Sequence, residues 1–289
     1  MIDSGNTADS PALEPGLYIV GTPIGNLEDI TLRALRVLKT CDSIAAEDTR
    51  RTRKLLHHFE INVRVISFRE HNRARMIPEI LKELGQNRTI ALVSDAGMPC
   101  ISDPGAELIA ACYEAGLDVF VVPGPSAITT AIAKSGLPGD TFLFLGFPPA
   151  KQNQRKEYFG KYSNVDAPLL LYEAPHRILR SLNDILETLG DRDIRVMREL
   201  TKIHEEMISG SVSSVIGELS LRDKIKGEFT VLVAQATTTD EKEFSEQDLS
   251  TAYENLVNEG MNPNEALKKL TQITGKSKRD LYNLLRVKG

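Results

Sequence analysis

The chain has 289 residues, of which 41% are hydrophobic and 26% charged, and its 35 Lys and Arg against 40 Asp and Glu give a formal net charge of -5. That length predicts about two domains, and the balance excludes both a disordered chain and a protein that coats nucleic acid by bulk charge, while leaving room for a local basic patch. No apolar run approaches the ~20 residues that a membrane span needs, and three cysteines without a Cys-x-x-Cys pair (Cys41, Cys100, Cys112) argue against a disulfide scaffold or a zinc cluster.

Residues 1–15 are acidic and polar. They lack the basic-then-apolar pattern of a signal peptide and read as a disordered lead on a cytoplasmic protein. The chain then alternates β-branched runs with helical patterns, the sign of βαβ units. Strands are predicted at 17–20, 43–46, 63–67, 89–93 and 118–122. A helix is predicted at 27–38, where Leu27, Ile30, Ala34, Leu35 and Leu38 form one stripe. Others are predicted at 76–84 and 106–115, followed by Gly85 and Gly116 as C-caps, and at 127–134, which is rich in small residues. A Pro- and Gly-rich stretch, 136–149, suggests a hinge with a strand at 141–147 inside it. Strands at 168–172, 194–198, 205–208 and 229–234 then mix with helices at 176–189 and 212–219. The fold class expected is α/β followed by α+β. Residues 237–247 are polar and acidic and suit a linker. Three short helices are predicted over 249–288, with stops near 260–263 and 274–277 and Ser277 capping the last, 278–287. From Ala266 to Gly289 there are seven basic residues (Lys268, Lys269, Lys276, Lys278, Arg279, Arg286, Lys288) and one acid, Asp280. Such a small basic helical unit resembles a helix-turn-helix. The domain division expected is a lead at 1–15, then 16–136, 137–238 and a C-terminal 245–289.

Four of the five first strands run straight into loops suited to backbone recognition or polar chemistry: Gly21-Thr22-Pro23-Ile24-Gly25-Asn26, Glu47-Asp48-Thr49-Arg50, Ser94-Asp95-Ala96-Gly97 and Pro123-Gly124-Pro125-Ser126. The other reaches Glu70-His71-Asn72 after two residues. In a parallel α/β sheet the carboxyl ends of the strands share one edge, where ligands bind. Gly21, Pro23 and Gly25 let backbone groups approach a ligand, and the same residues serve a strand-to-helix turn with Asn26 as N-cap. The run from Ser94 to Gly105 holds two Asp, two Pro and two Gly in twelve residues, more than a simple crossover needs. Glu47 and Asp48 precede Arg50, Arg51, Arg53 and Lys54. An acid at a strand end takes a proton or holds a ribose hydroxyl, and the cations suit phosphates. The same residues also suit a capped helix with a solvated charged face. Arg69, His71 and Arg75 repeat the theme. Glu173-Ala174-Pro175-His176-Arg177 and Glu199-Leu200-Thr201-Lys202 each follow a strand, where capping and ion pairing compete with a functional role. Lys202 serves as a base only if buried and neutralised. Walker A, Gly-x-Gly-x-x-Gly, Gly-x-Ser-x-Gly and His-Glu-x-x-His motifs are absent from the sequence.

Jointly, Gly21-Thr-Pro-Ile-Gly-Asn, Ala46-Glu-Asp-Thr-Arg, Ser94-Asp-Ala-Gly-x-Pro-x-x-Ser-Asp-Pro-Gly, Val122-Pro-Gly-Pro-Ser-Ala, Tyr172-Glu-Ala-Pro-His-Arg and Arg198-Glu-Leu-Thr-Lys make residues 17–234 resemble the tetrapyrrole methylase superfamily. The likeness is to its branch that methylates a cytidine ribose 2′-hydroxyl in small-subunit ribosomal RNA. The resemblance implies a two-domain fold, a parallel α/β sheet followed by a mixed α/β domain, with S-adenosylmethionine bent into the cleft between them. By that analogy the donor would touch Pro23, Asp95, Ala96, Gly97, Pro99, Ile101, Ser102, Ser126 and Ala127, with second-domain contacts near Glu173 and in the segment 226–230, which includes Gly227. It also implies a homodimer, no membrane association, small-subunit ribosomal RNA as partner and no metal. The corrin- and porphyrin-methylating members carry Gly-Asp-Pro where this chain has Ser94-Asp95-Ala96-Gly97, and they lack the basic tail. Those departures move the expected substrate from a tetrapyrrole to RNA.

A ribose hydroxyl is a poor nucleophile until its proton is drawn off. The candidate bases are Glu47 or Asp48, then His71, then Lys202. Arg50, Arg53 and Arg69 are expected on neighbouring phosphates, and Lys276, Lys278 and Arg279 extend that grip. The competing readings are C-methylation of a corrin or porphyrin precursor and a non-catalytic ribosome-binding factor.

Overall fold

A computed structural model describes residues 12–235, 246–258, 260–274 and 278–285. They form two compact units divided between Ala234 and Gln235. The first opens with β1 (Gly16–Val20), a 3-10 turn (Leu27–Asp29), α1 (Leu32–Thr40), β2 (Ser43–Ala46), α2 (Thr49–His58), β3 (Arg64–Ser67), α3 (Arg73–Leu84), β4 (Thr89–Val93), α4 (Ala106–Glu114), β5 (Val119–Val122) and α5 (Ala127–Ser135). The five strands pair in parallel in the order β3-β2-β4-β1-β5. The sheet divides its side chains with period two. Tyr18, Val20, Ile44, Ala46, Ala91 and Val93 pack toward Ala34, Val37 and Leu38 of α1 and Leu56 of α2. Leu17, Ile19, Ala45, Ile90 and Leu92 pack toward Met76 and Ile80 of α3 and Leu108 of α4. Helices on both faces are why β1 and β4 are buried along their whole length.

The helix expected at 27–38 is broken. Asn26 caps the short turn, accepting from the Glu28 amide at 3.1 Å, Ile30 is extended, and Thr31 caps α1, accepting from the Ala34 amide at 3.0 Å. Two capping residues five apart make two starts, so Leu27 leaves the stripe and stays partly exposed. Residues 49–58, quoted in the sequence as a charged strand-end loop or capped helix, form α2 with Asp48 as N-cap.

The first unit continues with β6 (Leu143–Phe144), α6 (Gln152–Gly160), β7 (Leu169–Glu173), α7 (Ile178–Leu189), β8 (Asp193–Arg198), β9 (Glu206–Ser211), α8 (Val212–Ser220) and β10 (Phe229–Val233). Their sheet runs β6-β7-β10-β8-β9, with β6 and β7 parallel and every other pair antiparallel. The expected parallel sheet followed by a mixed one is borne out. α6 was not foreseen, because its buried residues are Arg155 and Phe159, a pairing that shows no apolar stripe. Arg155 is tolerated in the core because Asp184 accepts its Nε at 2.7 Å and the Pro149 and Ala150 carbonyls accept its Nη1 at 3.2 and 3.0 Å. One face of the second sheet packs on α6, α7 and α8. The other, through Leu170, Met197 and Leu232, packs on Ile128 and Ala131 of α5 and on Ile24. The two sheets therefore share a core through α5.

The second unit contains α9 (Glu246–Asn258), α10 (Pro263–Thr274) and α11 (Lys278–Leu285). Leu249, Leu267, Leu270 and Leu281 form its core. Asn262 and Glu265 make a reciprocal cap at the start of α10, with the Glu265 amide donating to Asn262 Oδ1 at 2.9 Å. Residues 1–11 of the expected lead, Ser277 as a cap and Lys276 lie outside the described residues.

Candidate active site

In the order β3-β2-β4-β1-β5, the chain leaves β1 toward β2 on one side and leaves β4 toward β5 on the other. β1 and β4 are thus the point where the winding reverses, and a crevice opens beyond their carboxyl ends. The loop after β1 and the loop after β4 meet there. The Thr22 amide donates to the Gly97 carbonyl at 2.9 Å and the Gly97 amide to the Thr22 carbonyl at 3.0 Å. Gly97 sits at φ +80, left-handed backbone that favours glycine. Gly21 needs to lack a side chain for another reason: a Cβ there would lie 2.8 Å from the Gly124 Cα, so the loops after β1 and β5 touch backbone to backbone. Past Gly97, Cys100 and Ser102 are both left-handed, at φ 69 and 65. Such residues cost about 1–3 kcal/mol each and persist where the surroundings over-determine them. They bend the chain so that Ile101, Ser102 and Asp103 line the crevice.

The crevice is a cavity of about 310 Å³. The parallel sheet lines it with Ile24, Asp95–Met98, Ile101–Asp103, Ser126 and Ala127. The mixed sheet faces them with Tyr172–Pro175, Leu200 and Glu228–Thr230, and Phe147 closes the side. The Phe147 and Tyr172 rings lie 5.4 Å apart. Aromatic faces beside carboxylates suit a ligand that is part planar, part cationic.

The acids differ sharply. Asp95 accepts from the Asp48 amide at 2.9 Å and pairs with Arg51 at 3.3 Å. Burial, with Asp95 nearby, pushes Asp103 up to about 6, against a lowering contact from the Ser94 hydroxyl. Burial and then the charges of Asp103 and Asp95 also raise Glu47. Asp48 goes the other way. Hydrogen bonds from the Arg50 side chain and amide hold it down to about 2, which makes it a weak proton acceptor. Burial pushes the Tyr172 hydroxyl up to about 12, with Asp103 adding to it.

On the opposite wall the charges are paired. The Glu173 side chain is fully buried and accepts from the Ala174 amide at 2.8 Å, from Arg177 Nε at 2.8 Å and from the Ser181 hydroxyl. Lys202 donates to Glu199 at 2.8 Å and to Glu228 at 3.1 Å. Burial alone would lower its pKa, but those two bonds outweigh it and the pKa rises, so Lys202 holds its proton. Glu199 and Thr201 are left-handed as well, at φ 53 and 65, and the Thr201 hydroxyl accepts the Asn26 amide at 3.1 Å. That bond ties the second sheet to the loop after β1.

Of the expected donor residues, Asp95, Ala96, Gly97, Ile101, Ser102, Ser126, Ala127 and Glu173 line this one cavity. Pro23 lines an adjoining cavity instead. Pro99 and Gly227 line neither. Gly227, at φ +97, has its Cα against the Glu199 side chain, and a Cβ would lie 2.6 Å from Glu199 Cγ. Glu47 and His71 line neither cavity, and His71 is exposed in a turn. Arg69 donates its Nε to the Glu47 carbonyl at 2.7 Å. Arg50 is bound to Asp48, and Arg53 is exposed outside both cavities. Lys278 and Arg279 stand on α11. The sequence reading left Asp103, Tyr172 and Phe147 without a role. Asp103 had a signal, since it sits in the same Pro- and Gly-rich run as Asp95. Phe147 had none.

Among the described residues no helix is long and apolar enough to cross a membrane, and no group of three or more His, Cys, Asp or Glu could hold a metal ion. The family model of the tetrapyrrole (corrin/porphyrin) methylases matches residues 16–216. The ribosomal RNA small subunit methyltransferase I of Halalkalibacterium halodurans is 43% identical over 271 residues, 93% of each chain. The protein of that name from Thermotoga maritima is 47% identical over 218 residues, 75% of this chain and 97% of its own. Among solved structures, a cobalt precorrin-4 methyltransferase is similar with a TM-score of 0.56 at 16% identity, covering 75% of this chain and 94% of its own. The uroporphyrin-III-C-methyltransferase of Thermus thermophilus gives 0.54 at 19% identity, over 78% and 96%. At those identities the structures speak for the fold alone. The chain belongs to the tetrapyrrole methylase family and, within it, to the ribosomal RNA small subunit methyltransferases I.

Proposed function

We propose that the protein transfers a methyl group from S-adenosylmethionine to the ribose 2′-hydroxyl of a cytidine in small-subunit ribosomal RNA, acting in the cytoplasm as a homodimer. The observation that carries this reading is the cavity at the β1–β4 reversal, where Asp95–Gly97, Ile101–Ser102 and Ser126–Ala127 face Tyr172 and Phe147. Its chemistry fits the donor: aromatic and apolar walls for an adenine and a thioether chain, carboxylates for a sulfonium and an ammonium. When bound, S-adenosylmethionine supplies an electrophilic methyl group.

The chain's own groups supply the rest. Asp103 accepts the hydroxyl proton on its carboxylate, because its pKa of about 6 keeps it ionised at neutral pH yet basic enough to take a proton. Asp48, at about 2, is too acidic for that role, and Lys202 is held as a cation by Glu199 and Glu228. Glu47 is raised too but lies off both cavities. Asp95 positions α2 through the Asp48 amide and Arg51. Dimerisation is proposed at β5, an edge strand on which Val121 is 53% exposed.

The test is calorimetry with S-adenosylmethionine, followed by transfer of labelled methyl groups to small ribosomal subunits, naked RNA and uroporphyrinogen. Donor binding and label in subunit RNA are expected. A folded protein that ignores the donor, or labels only the tetrapyrrole, would overturn the reading.

A further inference from the structure

Beside the first cavity lies a second of about 320 Å³. The two share Ile24, Arg51, Asp95, Ala96 and Glu228, so they meet along one wall. The second adds Pro23, Leu27, Lys54, Leu55 and Lys202. The phase of α2 decides which of its four cations look inward. Arg51, Lys54 and Leu55 stand at i, i+3 and i+4 on one face and line the cavity, whereas Arg50 and Arg53 do not. Arg51 is paired with Asp95, and Lys202 with Glu199 and Glu228. Lys54 makes no ion pair among the described residues. In a chain of net charge -5 this is a local positive site with an apolar floor, Leu27 and Leu55, directly behind the wall of the first cavity.

We infer that the second cavity seats the target nucleotide, its phosphate on Lys54 and Arg51 and its sugar reaching past the shared edge at Asp95 and Ala96 into the first cavity, where Asp103 stands. The inference rests on the donor reading of the first cavity. Methyl transfer needs the hydroxyl within about 3–3.5 Å of the reacting carbon and in line with it. Two cavities that share an edge meet that need when each holds one reactant and the reacting atoms face each other across that edge. Lys54 is the grip without a competing carboxylate, and the phosphates expected on Arg50 and Arg53 move instead to the inward face of the same helix.

Steady-state methylation of small ribosomal subunits by Lys54→Glu, with S-adenosylmethionine affinity measured by calorimetry, tests this. Lys39→Glu at the far end of the parallel sheet is the charge-matched control. Lys54→Glu is expected to raise KM for the subunit at least about tenfold, to flatten the dependence of log KM on log salt by about one, and to leave donor affinity within about twofold. Lys39→Glu is expected to change none of these. An unaltered KM with intact donor affinity in Lys54→Glu would overturn the second cavity alone, as would an equal rise in KM with Lys39→Glu. Absence of donor binding by the unmodified protein would overturn the donor reading and this inference together.

Discussion

On the wall supplied by the parallel sheet, the residues facing the first cavity come from strand-end loops. Their backbone is strained at Cys100 and Ser102, and burial pushes Asp103 up to about 6. On the wall supplied by the mixed sheet, the acids are neutralised before any ligand arrives: Glu173 by Arg177, Ser181 and the Ala174 amide, and Glu228 by Lys202, which also holds Glu199 behind it. The difference teaches that buried charge serves two purposes here. An unpaired acid held at a raised pKa is available for proton transfer. A paired one fixes a surface, and its removal is felt as lost folding energy.

The largest effect expected from breaking this contrast is on the paired side. Glu173→Gln leaves the largely buried Arg177 guanidinium without a counter-charge and should destabilise the protein by about 3 kcal/mol in denaturant melts. Donor affinity of the folded fraction should stay within a few-fold. A loss of donor affinity with unchanged stability would place Glu173 on the chemical side instead.

Next comes Asp103→Asn. It should lower kcat about 10²–10³-fold and remove the limb of kcat/KM that rises with pH up to about 6. Stability should move the other way. The folded pKa lies above that of the unfolded chain, so the unfolded state ionises first as pH rises. The wild type therefore loses stability between about pH 4 and 6, a loss that is complete above it. Because the group is partly solvated, the loss is on the order of 1 kcal/mol. Asp103→Asn should accordingly melt higher than wild type at pH 7.5 and not at pH 4. A variant less stable than wild type at pH 7.5 would show that Asp103 is paired after all.

The smallest effect on the cavity is expected from the second unit. Neutralising Lys276, Lys278 and Arg279 should leave donor affinity unchanged and reduce the salt slope of RNA binding by about two to three. A charge-neutral tail with an unaltered salt slope would remove these three residues from the RNA contact.

Much of the first sheet was legible because its strands and helices carry their own patterns: short, fully buried runs at 43–46 and 89–93, and amphipathic stripes that became α3 and α4. Legibility failed where a partner outside the segment decides. α6 hides its inward face because Arg155 is buried by courtesy of Asp184, 29 residues away. The site followed the same rule. The motif loops after β1, β4 and β5 could be read as one ligand edge because parallel strands end together. Asp103 passed without a role because its pKa depends mainly on burial, which the run it shares with Asp95 does not display.

By itself the sequence determined the family, the two-sheet order of elements and the edge at which the motif loops gather, since these follow from local pattern and motif spacing. Only the tertiary structure decided which charges face the cavities. Helix phase turned Arg51 and Lys54 inward and Arg50 and Arg53 away, and the meeting of two sheets paired Lys202 while leaving Asp103 without an ion pair among the described residues. The physical reason is that the charge state of a side chain is set by desolvation and by neighbours within a few ångströms, and folding brings those neighbours from distant parts of the chain.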